Sequence, residues 1–102
     1  MQQFDVCRSQ AKSRDGFPYF VIVQSREFDR TGRRVVIPLT PELTRYPEIA
    51  PIFEVEGRQV VADALLIFSI PTEKLGKVVA SLADQASAER LINAIDRLIG
   101  RS

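Results

Sequence analysis

The chain has 102 residues, 45% of them hydrophobic and 26% charged, with a formal net charge of +1. That length suits one domain spanning 1–102 around a modest core, and the near-neutral balance supplies no bulk field to attract nucleic acid or an anionic membrane. With no histidine and one cysteine, Cys7, the commonest general base, the commonest metal ligand and any internal disulfide are excluded, so no metal or cofactor site is expected.

Phe4–Ser9 alternates apolar and polar residues and predicts a first strand, with Cys7 as a small buried hydrophobe. A polar stretch with an Asp15-Gly16 turn signal follows. Tyr19–Gln24 is nearly all apolar, the pattern of a central strand. Next comes VQSREFDRTGRRVVIPL, residues 23–39, in which Arg26, Arg30, Arg33 and Arg34 surround only Glu27 and Asp29. It predicts two strands joined by an exposed basic loop, the second strand running over Arg34–Ile37. Asp29 and Gly32 supply turn chemistry, and Pro38, lacking an N–H, belongs at a strand end or on an edge.

Thr40-Pro41-Glu42-Leu43 has the cap, proline and acid of a helix start, cut short by Pro47 and Pro51. Ile52–Glu56 and Gln59–Ala62 flank Gly57-Arg58 and predict a hairpin. Leu65–Ile70 predicts a further strand, ended by Pro71. At the C-terminus, Ser81 and Asp84 have capping-box spacing, with Ser87 as a second possible start. Leu91, Ile92, Ile95, Leu98 and Ile99 form one apolar stripe of a helix ended by Gly100. The fold class expected is mainly β with one C-terminal α-helix. No leader pattern is present, and the longest apolar run, Ala64–Phe68, is too short to span a bilayer. A cytoplasmic protein is expected.

Catalytic patterns are sparse. There is no base for a nucleophilic triad, no Walker or Rossmann glycine pattern and no zinc spacing. Glu54/Glu56 and Glu42/Glu48 are expected to face solvent. The arginines of the basic loop match phosphate geometry and leave open an arginine-based ribonuclease. Partner recognition is the commoner role of an exposed loop on rigid strands.

Val23-Gln24-Ser25, Asp29, Gly32-Arg33-Arg34 and Val36-Ile37-Pro38-Leu39 resemble, in identity and spacing, the CcdB family of bacterial toxins from type II toxin–antitoxin modules. Met1–Val6 resembles the family's first strand, and Asn93-Ala94-Ile95 matches its C-terminal NAI. The resemblance implies a homodimer with an SH3-like small barrel of five to seven mostly antiparallel strands. It further implies binding to the GyrA subunit of DNA gyrase, trapping of the cleaved gyrase–DNA complex, and no enzymatic activity. A cognate antitoxin with a C-terminal segment disordered until bound would neutralise the toxin, and the two together would repress their operon, the antitoxin touching the DNA.

Carried onto this chain, the gyrase-facing positions are Ser25, Glu27, Phe28, Asp96, Ile99, Gly100 and Arg101, of which Ser25 alone keeps the family residue. The antitoxin-facing set is Arg26, Arg30, Arg33 and Arg34. Ile95, Leu98 and Ile99 would pack the helix near the two-fold. Plasmid-type members end in Trp-Gly-Ile, whereas Gly100, Arg101 and Ser102 stand there in this chain, so the aromatic anchor is missing. Two alternatives stay open: a degenerate toxin that binds antitoxin alone, and an endoribonuclease of the MazF type. The arginine-glycine-aspartate opening and threonine-arginine-proline block of such nucleases are absent.

Overall fold

The computed structural model describes residues 1–10, 17–42 and 46–100. Within them the chain forms seven strands, β1 (Asp5–Ser9), β2 (Tyr19–Ile22), β3 (Arg33–Thr40), β4 (Ile52–Val55), β5 (Arg58–Ala62), β6 (Phe68–Pro71) and β7 (Leu75–Ser81), then one helix, α1 (Gln85–Ile99). All strand pairs are antiparallel. The sheet order is β4-β5-β3-β2-β1-β7, with β6 paired to β3 off that path. The mainly β, barrel-like architecture with a terminal helix is therefore as expected.

β2 and the C-terminal part of β3 are buried on both faces, which explains their unbroken apolar sequences. On one face Val6, Val21, Ile37, Leu39, Val60 and Ala62 meet Leu91 and Ala94 of α1. On the other, Cys7, Phe20, Ile22, Val36 and Leu75 form a smaller cluster, edged by Phe68 at 5.7 Å from Phe20. Burial pushes the Cys7 thiol up from its ordinary pKa, with the Asp5 charge adding to the effect, so it is a packing residue of low reactivity.

Pro38 does not end its strand. It is fully buried inside β3, opposite Phe20. The Val23 N–H donates to the Val35 carbonyl at 3.0 Å. Since hydrogen-bonded pairs alternate along an antiparallel ladder, Phe20 and Pro38 form a non-bonded pair. The proline nitrogen thus points to the far side of β3. There β6 has already left after Val36 and β5 does not begin until Leu39, so the missing N–H leaves no ladder bond unmade.

Three other expectations shift. The hairpin turn is Glu56-Gly57, not Gly57-Arg58: both residues have positive φ, 51° and 75°, as a tight two-residue hairpin requires. Ala64–Leu66 is a 3-10 turn capped by Asp63, so the strand begins only at Phe68. The Ser81 hydroxyl accepts from Ala83 N–H at the end of β7, and the helix cap is Asp84, whose carboxylate accepts from Ser87 N–H at 3.0 Å. That bond holds the Asp84 carboxyl below its usual pKa. The proposed start at Thr40 yields no helix through Glu42; the Thr40 hydroxyl accepts from Glu42 N–H instead, and Leu43 lies outside the described residues.

α1 packs on the 3-10 turns at Pro47–Ile49 and Ala64–Leu66. Leu91, Ala94, Ile95 and Leu98 face the core, whereas Ile92 and Ile99 are exposed. Arg90 reaches outward to cover the edge of the sheet. Its guanidinium donates to the Ile52 carbonyl at 2.6 Å and stacks over Phe53 at 4.5 Å, occupying an acceptor that an edge strand otherwise offers to other chains.

Candidate functional site

The segment between β2 and β3 is built as a platform. Residues Arg26–Thr31 wind into short 3-10 turns, opened by the Ser25 hydroxyl accepting from Glu27 N–H and closed by Gly32 at φ 77°. Three side chains then fasten it from within. The Gln24 amide donates to the carbonyls of Phe28 and Arg33, both at 3.0 Å, while its oxygen accepts from Val35 N–H. The Thr31 hydroxyl donates to Phe28 O. The Arg34 guanidinium donates to Asp29 O at 2.8 Å and Arg33 O at 3.0 Å, with its Nε 3.6 Å from the Asp29 carboxylate.

These contacts divide the four arginines of the loop. Arg34 is buried, 8% exposed, so the structure removes it from the surface set: two backbone carbonyls take its Nη1 and the Asp29 carboxylate offsets its charge, while its Nε has no hydrogen-bond partner. Arg33 lies on the surface but is tied to β6, donating to the Ser69 hydroxyl at 2.8 Å and the Ser69 carbonyl at 3.0 Å. Arg26 and Arg30 project freely among the described residues, and with them Glu27 and Phe28. Phe28 is 52% exposed. Beside the platform lies a half-open polar cavity of about 330 Å³ lined by Gln2, Gln3, Arg26 and Asp29.

Of the gyrase-facing positions, Ser25, Glu27 and Phe28 share this platform, while Asp96, Ile99 and Gly100 are exposed at the end of α1. Among the described residues no hydrogen bond or ion pair joins the two groups. Arg101 lies outside them. Ile95 and Leu98 pack into the core of their own chain, leaving Ile99, 71% exposed, as the residue of the expected two-fold trio that is open to a second chain.

A second cluster was not anticipated from sequence. The Arg8 guanidinium donates to both oxygens of Glu56, at 3.1 and 2.8 Å, and the Tyr19 hydroxyl donates to Glu56 Oε1 at 2.7 Å. This links β1, β2 and the β4–β5 turn across the curl of the sheet. The Tyr19 bond, then Arg8, hold the Glu56 carboxyl below its usual pKa, with Lys77 contributing through its charge. Reciprocally, the bond to Glu56 raises Tyr19, while Arg58 acts on it in the opposite sense. Forty-eight residues separate Arg8 from Glu56, so no local spacing announces the pair. Among the described residues no group of three His, Cys, Asp or Glu is placed to hold a metal ion, and no helix is long and apolar enough to cross a membrane.

The sequence model described as CcdB protein matches residues 3–100. The chain belongs to the CcdB family. No curated protein sequence matches it. Among solved structures, this CcdB chain is similar to an endoribonuclease in complex with its cognate antitoxin from a mycobacterial species, with TM-score 0.79 and 17% identity over 100% of this chain and 97% of that one. It is also similar to the Mycobacterium tuberculosis toxin MazF-mt6, with TM-score 0.75 and 14% identity over 91% and 93%. A MazE–MazF structure from Deinococcus radiodurans gives TM-score 0.75 and 14% identity over 99% and 97%. At such identities the likeness establishes the fold.

One correction follows. The family resemblance implied a protein without enzymatic activity, yet solved structures sharing the architecture are named as endoribonucleases. The fold therefore carries no exclusion of catalysis.

Proposed function

We propose that this CcdB chain is the toxin of a type II toxin–antitoxin module, acting as a homodimer on the GyrA subunit of DNA gyrase. The observation that carries the reading is Phe28, half exposed on a backbone fastened from beneath by Gln24, Thr31 and Arg34. An aromatic side chain held open on a rigid backbone is the anchor that protein interfaces favour, because little entropy is lost when it docks. In this reading Phe28 supplies the aromatic contact that the chain end, Gly100-Arg101-Ser102, does not. Glu27 and Ser25 flank it, and Asp96 and Ile99 extend the surface along the helix end.

Arg26 and Arg30, with the outer edge of Arg33, offer charge to an antitoxin segment that folds as it binds. Operon repression by toxin and antitoxin together, with the antitoxin touching the DNA, follows from the same reading. The test is a supercoiling assay with gyrase from the same bacterium. Inhibition with a trapped cleavage complex is expected, weakened at least tenfold by Phe28→Ala. No inhibition by micromolar dimer overturns the gyrase reading, and retention of antitoxin binding in that case leaves a toxin relative that has lost its target.

A further inference from the structure

The segment Ala64–Pro71 carries no charged residue, yet it lies largely at the surface. Leu65 is 57%, Leu66 39% and Phe68 40% exposed, three large apolar side chains within four positions. Local structure puts them there. The 3-10 turn over Ala64–Leu66 is capped by Asp63 and has Ala64 as its buried residue, which leaves both leucines at the surface. Phe68 opens β6 and stays half covered, its ring edge-on to Phe20. α1 packs on the same turn and exposes Ile92 and Ile99, seven positions apart and so on one side of the helix. Other exposed apolar side chains, such as Phe28, Ile52 and Val78, stand singly on separate elements, which is ordinary for a protein surface.

The outer edge of β6 is closed to strand addition. The Val35 carbonyl accepts from Val23 N–H, so the Val35 backbone turns toward β2, and those of Arg34 and Val36 turn toward β6. Ladder alternation then turns the Phe68 and Ile70 backbones inward to β3, and those of Ser69 and Pro71 outward. The Ser69 carbonyl already accepts from Arg33 at 3.0 Å, and Pro71 has no N–H to offer. Whatever covers this face therefore docks on side chains.

We infer that residues 64–71 form the central contact between two copies of this chain, Leu65, Leu66 and Phe68 of one meeting the same residues of the other across a two-fold axis. The inference rests on the homodimer proposed above and moves its contact to the 3-10 turn and β6, with Ile99 at the margin. The absence of charge selects the partner. An isologous contact sets a patch against itself, so a charge at its centre would face its own like, and here there is none. Homodimer interfaces are the apolar kind, with charged residues depleted from the core. A disordered antitoxin segment is a poorer occupant. Such segments stay unfolded through low hydrophobicity and high charge, and the cations that suit one, Arg26 and Arg30, project from the platform.

The experiment is sedimentation equilibrium on the intact chain. The parent should be a dimer, and the double variant Leu65→Lys, Leu66→Lys should raise its dissociation constant by about a hundredfold or more, since each cation then faces its own copy. Ile99→Lys should raise it less, and Arg26→Ala with Arg30→Ala should leave it unchanged. The uncharged pair Leu65→Ser, Leu66→Ser should weaken the dimer in the same direction, and it carries the test if near-UV circular dichroism shows that the lysine pair does not fold. The urea midpoint of the parent should rise with protein concentration, as linkage to a dimer demands, and that dependence should vanish in the double variant. A parent that stays monomeric, a dimer unmoved by either pair, or one dissociated more strongly by Ile99→Lys than by the lysine pair overturns the assignment. Gyrase takes no part in this measurement. A dimer that fails to inhibit gyrase removes the gyrase reading alone, and a monomer that inhibits gyrase removes this assignment alone.

Discussion

Two arginine-bearing regions of this chain, one a single loop and the other gathered from three strands, hold their charge differently. In the β2–β3 platform, Arg34 is enclosed by the carbonyls of Asp29 and Arg33 and Arg33 is fixed to Ser69. Half of the loop's positive charge is therefore structural scaffolding. Across the curl of the sheet, Arg8 meets a carboxylate 48 residues away, and Lys77 and Arg58 act on the same cluster through their charge. Counting cations locates neither a binding surface nor a site. What matters is whether backbone acceptors nearby have already claimed them.

The contrast is open to direct test. Arg34→Ala removes buried hydrogen bonds from a charged donor and should lower the free energy of unfolding by about 1.5–3 kcal/mol, measured by urea titration. Equal stability of the variant would show that the platform holds without its clamp. Gly76→Ala pushes a methyl group to 2.6 Å from the Arg8 carbonyl oxygen and should cost about 1–3 kcal/mol. It should also disturb the amide NMR signals of Arg8 and Lys77 before those of the platform.

Acid provides a third, smaller test. The Glu56 carboxyl is held low in the folded protein, so its contribution is complete above the ordinary carboxyl value of roughly 4.3. It is lost as pH falls through the lowered folded value. The urea midpoint should therefore drop on the acid side, and drop less steeply in Glu56→Gln. Asp84, held low by its cap bond, adds an effect of the same sign that persists in that variant. Smallest of all, Arg30→Ala should leave stability within about 0.5 kcal/mol of the parent. A larger loss would mean that the platform's outer arginines are scaffolding too.

The parts of the fold that sequence made readable were those with clean periodicity or turn chemistry. β2 and β3 announce themselves by unbroken Val and Ile, the β4–β5 hairpin by Gly57, and α1 by the Leu91-Ile95-Leu98 spacing. β7 was missed because the bulges opposite β1 interrupt its alternation and Gly76 lowers its strand propensity, so the sheet seemed to stop at Pro71. The helix cap was placed at Ser81 because that residue has the right spacing, but β7 runs through it and Asp84 takes the role. In the β2–β3 segment, the exposure of Glu27 and Phe28 follows from a polar loop between two apolar runs. Arg34 was not readable as buried, since the acceptors of its hydrogen bonds are backbone carbonyls, which no residue type reveals. The Arg8–Glu56 contact depends on the curl of the whole sheet and leaves no mark in either local sequence.

Pro38 bears on how this sheet divides. β3 presents its outer side as two short tracks, positions 33–36 occupied by β6 and 39–40 by β5, with a residue between them that has no proton to donate. The proline thus works as an insulator, keeping the β6 and β5 ladders from fusing into one.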